Sequence, residues 1–379
     1  MTKLIPVVVI SMLLAVISHN RSDFSHSRLR YRKKDLLWYT IMAVIMILFV
    51  GLRTRYNDTG TYRYGYEMMS PVGSIMDAVT DWSIGANPGF VLVCGMMRIL
   101  GISTQGFLFI FAAVTNGIYL WFLRKYSNNI WLTVFLFIVT GCFTFTLAAV
   151  KQCAAVAFCL LGVDQLLDKR SDNPYFYFVL WVLIASLFHP YALMFLVVPF
   201  LMFRPWVRET YYTLAAFGLA GLLLQFLLGT IVDITTFMGE EYNLQSFKGE
   251  GVNPFRLAVC AVPTLLSFVA RKQIWQMDEK KERVFFLCTN LSILNAEIMF
   301  VALFGTANYF ARLANYFLIF QALSIPWLFQ FFDKKSRKIL TVTAVICYCV
   351  YFIYENAVQK IFDADYASIS LLDYLRSLF

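Results

Sequence analysis

Charge is what this chain has least of. Of its 379 residues only 15% are Asp, Glu, Lys or Arg, where a soluble protein carries roughly 25%. No polar stretch is long enough to form a soluble domain, and no internal repeat or low-complexity tract appears. Metal-binding spacing is missing as well. The eight cysteines (Cys94, Cys142, Cys153, Cys159, Cys260, Cys288, Cys347 and Cys349) lie in or beside apolar runs, and Cys347 and Cys349, two apart, fall on different sides of a helix. They read as small apolar packing residues. No acidic pair stands at metal-ligand spacing, so neither a metal nor a cofactor is expected.

What the chain has instead is apolar surface: 60% of it is hydrophobic and 17% aromatic. Runs near the length of a spanning helix recur from end to end, which predicts a polytopic membrane protein. Backbone groups in hydrocarbon must pair internally, and the runs do not alternate like barrel strands, so the spans are helices. They are expected at about 4–18, 36–52, 104–123, 130–149, 150–167, 174–188, 190–203, 211–232, 254–270, 284–304, 309–331 and 339–354. The first run, with only Lys3 before it, reads as an uncleaved span rather than a leader. The expectation is a single all-α membrane domain, residues 1–379, with about twelve transmembrane helices.

The net charge of +9 is a matter of topology. Loops 19–35, 124–125, 168–172, 204–209, 271–283 and 333–338 hold 21 of the 32 basic residues, and with Asp164 near a span end counted among them they carry +11 against −2 for the rest. By the positive-inside rule these loops face the cytoplasm, and no nucleic-acid partner is needed. Loops 53–103 and 233–253 and the tail 355–379 then lie outside. This parity requires the short run "NPGFVLVCGMMRIL", residues 87–100 with Arg98 inside it, to be re-entrant or interfacial rather than spanning.

Polar residues at membrane depth are costly and mark ligand paths or internal pairs. Those expected here gather near the outer ends of spans. Arg53, Arg55, Asp58, Tyr62 and Arg63 occupy "GLRTRYNDTGTYRYGYE", residues 51–67. Lys151 and Gln152 lie at the turn between two spans, and His189 precedes the helix-ending Pro190. Glu297 lies in the outer half of its span, and Arg312 stands one turn inside another, with Tyr316 beyond it. Each has a plainer explanation. An arginine at a span end snorkels, a histidine beside a proline bonds a helix end, tyrosines form an interfacial belt, and Glu297 pairs with Arg312. All of these would have to hold together, on the less basic side.

Arginine forks bind phosphate oxygens bidentately, and tyrosines suit sugar faces, so the pattern fits a lipid-linked sugar diphosphate. Asp58 or His189 would take a proton from an incoming sugar hydroxyl. The cations would stabilise the departing pyrophosphate without a metal.

The same stretches resemble the EpsG-like family of Wzy-type bacterial polysaccharide polymerases. Gly51, Leu52, Arg53, Asp58 and Tyr62 match its first outer loop. "KQCAA" at 151–155 matches an R-Q-x-x-A element with Lys151 for Arg, "HPYAL" at 189–193 an H-x-[SA]-A element, and "ARLANYF" at 311–317 an R-[LI]-x-x-Y-F element. The resemblance implies a GT-C-like glycosyltransferase of the bacterial cytoplasmic membrane. It would join undecaprenyl-pyrophosphate-linked repeats into an O-antigen, capsule or exopolysaccharide at the outer face, alongside a chain-length regulator and a flippase. A flippase for the same lipid would show polar residues through the whole membrane depth and a pseudo-repeat. A membrane O-acyltransferase would want a histidine deep in a span, whereas His19 and His26 lie in a loop.

Overall fold

The computed structural model describes residues 1–22, 33–69, 87–168, 171–237, 251–279, 281–305, 307–359 and 361–366. The run Arg28–Arg32, His26, most of loop 233–253 and the tail beyond 366 lie outside them. Among the described residues helix dominates, and the sheet consists of two short strands.

The chain folds into two interleaved compact units. The first comprises Met1–Lys125, Phe143–Leu193 and the segment from Ile353 onward; the second comprises Tyr126–Cys142 and Met194–Phe352. In the first unit, α1 (Leu4–Arg21) packs along α2 (Lys33–Gly51). Strand β1 (Arg53–Arg55) and α3 (Thr59–Met68) follow, then α4 (Pro88–Ile99) and the long α5 (Thr104–Tyr126). After α6 (Ile130–Val139), which belongs to the second unit, α7 (Cys142–Ala148) leads into α8 (Val150–Leu167), which pairs closely with α9 (Pro174–Ser186). A 3-10 segment at Pro190–Leu201, with prolines at both 190 and 199, closes this region. Proline removes backbone donors and favours such tight turns over a regular α-helix.

The second unit is built around α13 (Arg283–Val301), which is buried along nearly all its length. It packs against α10 (Arg208–Leu222), α12 (Pro254–Val269), α14 (Ala307–Ala314) and α15 (Ile319–Leu328). Helices α11 (Leu224–Phe237) and α16 (Lys334–Ile353) complete it. The polar residues of α13 close carbonyls left open where neighbouring helices break. Asn290 Nδ2 donates to Leu201 O and Phe203 O at 2.9 and 2.8 Å, and Asn295 Nδ2 to Ala314 O at 2.6 Å. Unpaired carbonyls in an apolar interior cost several kcal/mol, so these side chains serve the backbone.

The chain is a membrane protein, but the expected count of twelve spans does not hold. Among the described residues, five helices are long and apolar enough to cross: Leu4–Arg21, Thr104–Tyr126, Val150–Leu167, Arg283–Val301 and Lys334–Gln359. Two broken pairs, Ile130–Val139 with Cys142–Ala148 and Arg208–Leu222 with Phe226–Phe237, would raise the number to seven. The reason is that apolar runs are not continuous helices. Gly141 at φ +85° splits the run at 130–149. The run at 211–232 bends by 101°, and the one at 309–331 divides into α14 and α15. Others, including Asp35–Gly51 and Pro174–Ser186, form helices of 10–17 residues.

Candidate functional site

The stretch 51–67 folds as a strand, a turn and a helix, and each piece has a local cause. Gly51 ends α2 where a Cβ would stand 2.6 Å from the Phe109 ring and 3.2 Å from its Cα, so only glycine lets α2 approach α5 so closely. The turn to α3 passes through Asn57 at φ +43°, a left-handed conformation that asparagine tolerates better than most residues. An irregularity in the pairing between Arg53 and Arg55 breaks the strand's alternation, so Arg53 is buried and Arg55 exposed although they stand two apart.

Arg53 is only 1% exposed. Its Nη1 donates to Val50 O at 2.5 Å and its Nε to Thr59 Oγ1 at 3.1 Å. The guanidinium thus clasps the end of α2 to the start of α3. It also lines a small cavity with Thr115, Thr146, Val150 and Cys153. Gln105, which sequence reasoning passed over, supports the same corner. Its Nε2 donates to Gly51 O at 2.8 Å and Arg53 O at 3.1 Å, and its Oε1 accepts from Arg63 Nη1 at 2.9 Å. An amide one residue into a helix carries no spacing signal, which is why only the fold reveals it.

Beneath α3 lies an aromatic floor. Tyr66 stacks on Phe107 at 4.7 Å, and Phe90 meets Phe107 at 6.0 Å and Phe111 at 5.3 Å. Burial pushes the Tyr66 phenol up to about 12, so it remains a neutral donor to Ile102 O at 2.7 Å. The edge of this floor joins two predicted residues. Tyr62 packs edge-on against Phe90 at 6.1 Å, and the Lys151 ammonium lies 5.4 Å from the same ring. Such a cation over an aromatic face is attracted by the ring quadrupole. Helix α4 is docked at the His189 end of α9 through Gly89, whose N–H donates to Leu187 O at 2.7 Å. A Cβ on Gly89 would sit 2.9 Å from Leu187 Cβ. His189, half-buried, follows two residues later with its ring 5.2 Å from Tyr191.

The first unit therefore gathers Arg53, Tyr62, Arg63 and Lys151 around one corner, with the His189 turn docked to the same short helix. Gln152 is buried beside Lys151, while Asp58 is exposed at the N-cap of α3. Arg55 is exposed and pairs with Asp363 at 2.9 Å and Asp365 at 2.7 Å. The remaining predicted residues belong to the second unit. Arg312 is exposed on α14, and Tyr316 is fully buried with its ring 6.2 Å from Phe195. Glu297 accepts a hydrogen bond from Thr213 Oγ1 at 2.8 Å.

An all-helical membrane protein with a cationic, aromatic-floored corner at the end of a span is the class that fold and site define. Within that class, the sequence pattern of the EpsG family matches residues 36–368, nearly the whole chain. The chain belongs to the EpsG family, a family of Wzy-like polysaccharide polymerases. No curated protein and no solved structure matches it.

Proposed function

We propose that this protein polymerises lipid-linked oligosaccharide repeats, carried on undecaprenyl pyrophosphate, into a surface polysaccharide. The observation that carries the reading is the meeting of Tyr62 and Lys151 on the Phe90 ring, in a chain that belongs to a polymerase family. A hydroxyl at the non-reducing end of one repeat attacks the anomeric carbon of the growing chain. The new glycosidic C–O bond forms as the bond to pyrophosphate breaks, and the pyrophosphate leaves with the electron pair. The hydroxyl proton passes to His189 or Asp58.

Lys151, with Arg63, offsets the charge that develops on the leaving group, so no metal is required for that role. Tyr62 and the Phe90 edge offer apolar faces to sugar rings. Arg53, buried and bonded to Val50 and Thr59, shapes the corner and contributes its positive field from below. Tyr316, Arg55 and Gln152 act at one remove, through packing and pairing. The site faces outward from the bacterial cytoplasmic membrane in this reading, in a single GT-C-like membrane domain. Helix α4, 12 residues long, is too short for a bilayer that needs about 20, and lies re-entrant or interfacial. A flippase supplies the substrate and a chain-length regulator ends the polymer.

The test is deletion in the native host with complementation by wild type, Lys151→Ala and His189→Ala, each checked for membrane level. Single lipid-linked repeats without polymer, not rescued by the variants, are expected. Repeats trapped on the cytoplasmic leaflet would indicate a flippase instead, and a polymer lacking only acyl groups would indicate an acyltransferase.

A further inference from the structure

The segment after α16 was assigned no role by any motif, yet it returns to the candidate site. Helix α16 loosens into a π-helical turn at Tyr354–Gln359. Residues 361–366 then cross to β1, and β2 (Asp365–Tyr366) pairs with it antiparallel, Arg53 opposite Tyr366 and Arg55 opposite Asp365. The Phe362 ring lies 4.9 Å from Tyr56 and 6.2 Å from Phe49, and the Tyr366 ring 5.1 Å from Phe49. Arg55 bridges Asp363 and Asp365. Lys3 Nζ donates to Ala364 O at 2.9 Å and to Asp365 Oδ1 at 3.3 Å, and lies 5.7 Å from the Tyr366 ring.

Neither the ion pairs nor the strands would hold this segment alone. Arg55 is 63% exposed on its side chain, and exposed pairs contribute little; an isolated two-stranded sheet is marginal in water. Burial supplies the anchor, with Phe362 at 4% and Ala364 at 2% exposure. The consequence falls on β1. Residues two apart in a regular strand share a face, and Arg53 is buried while Arg55 is exposed because the pairing is irregular between them. Loss of the partner strand would remove that irregularity and with it the turn of Arg53 away from Arg55. The partner strand on one side, and Gln105 bonded to the Gly51 and Arg53 carbonyls, keep the register that sends Arg53 to Val50 and Thr59.

We infer that Phe362–Tyr366 is a positioning clasp for the candidate site, holding β1 in the register that turns Arg53 inward. Phe362, Asp363 and Asp365 are its positioning residues. That this sets catalytic output rests on the polymerase reading; that it sets the strand does not.

The test uses the full-length protein in detergent micelles and in the deletion host. The variants are Phe362→Ala, Phe362→Leu, and Asp363→Asn with Asp365→Asn. Hydrogen exchange is followed in peptides covering 53–59, with α8 as internal reference. Phe362→Ala is expected to exchange about tenfold faster at 53–59 with α8 unchanged, Phe362→Leu to stay close to wild type, and the double Asn variant to exchange only about twofold faster, because its ion pairs are exposed. Polymer should fall with the same rank order at equal membrane levels. Should Phe362→Ala fail to fold, the exposed Asn pair decides. Unchanged exchange at 53–59 in these variants overturns the clasp. Faster exchange with full polymer, in a host where Lys151→Ala abolishes it, overturns the positioning role. A deletion that leaves polymer intact sinks the polymerase reading, and exchange still decides the clasp.

Discussion

The two ends of the first unit treat positive charge in opposite ways. At one end, Arg124 meets Asp35 through two hydrogen bonds at 3.0 and 3.1 Å, with the side chains 10% and 1% exposed. Beside it, Lys125 pairs with Asp164 and, at 3.7 Å, with Asp168. Carboxylates cancel the cations there, and α2, α5 and α8 are tied together. At the other end, the contacts described for Arg53, Arg63 and Lys151 are to a carbonyl, a hydroxyl, an amide oxygen and a phenyl ring. One end ties helices together through ion pairs, and the described contacts at the other seat Arg53, Arg63 and Lys151 on neutral groups, beside the ion-paired Arg55.

The largest test of that difference is Arg124→Ala. It strands a nearly buried carboxylate, which costs about 3–5 kcal/mol. A sharply lower thermal midpoint in detergent is expected, with polymer per folded molecule unchanged; a selective loss of polymer would break the comparison. Lys151→Ala should do the reverse. Removing one preorganised donor to a developing anion costs roughly 100-fold or more in rate, and the midpoint should hardly move. Lys151→Arg should retain much of the activity, since the charge is kept.

Gly89→Ala is expected to cost about 1–3 kcal/mol, because the added methyl overpacks the contact between α4 and Leu187. If α4 docking matters to the site, polymer should fall further than the midpoint suggests. Gln105→Ala leaves the Gly51 and Arg53 carbonyls short of a donor, at about 1–3 kcal/mol. Exchange near residue 53 should report it.

The smallest expected effect is of pH. Lys3 first, then Arg55, hold the Asp365 carboxyl below its usual 3.8, with Asp363 and Tyr366 as its other neighbours. A carboxylate depressed in the folded state adds stability that is complete above the unfolded pKa and is lost as pH falls through the folded one. The clasp should stay closed at neutral pH and loosen only below about pH 4, slightly, because the pair is exposed. Exchange at 53–59, corrected for intrinsic rates, checks this; opening near pH 6 would count against the pairing.

Much of the molecule was legible in one dimension. Low charge and recurrent apolar runs determine a helical membrane protein, because unpaired backbone is too costly in lipid for anything else. The long helices at 104–126 and 150–167 were visible for that reason. The order of "GLR", "KQCAA", "HPYAL" and "ARLANYF" was enough to point to the family. The number of spans was not legible, since hydropathy measures greasiness and not continuity. Gly141 and the break between α14 and α15 interrupt runs that read as single helices. Nor could spacing tell that Arg53 is buried under its own loop while Arg55 faces outward, or that Gln105, Phe90 and Asp365 stand beside them. Those contacts join residues tens to hundreds of positions apart, and only packing decides which of them meet.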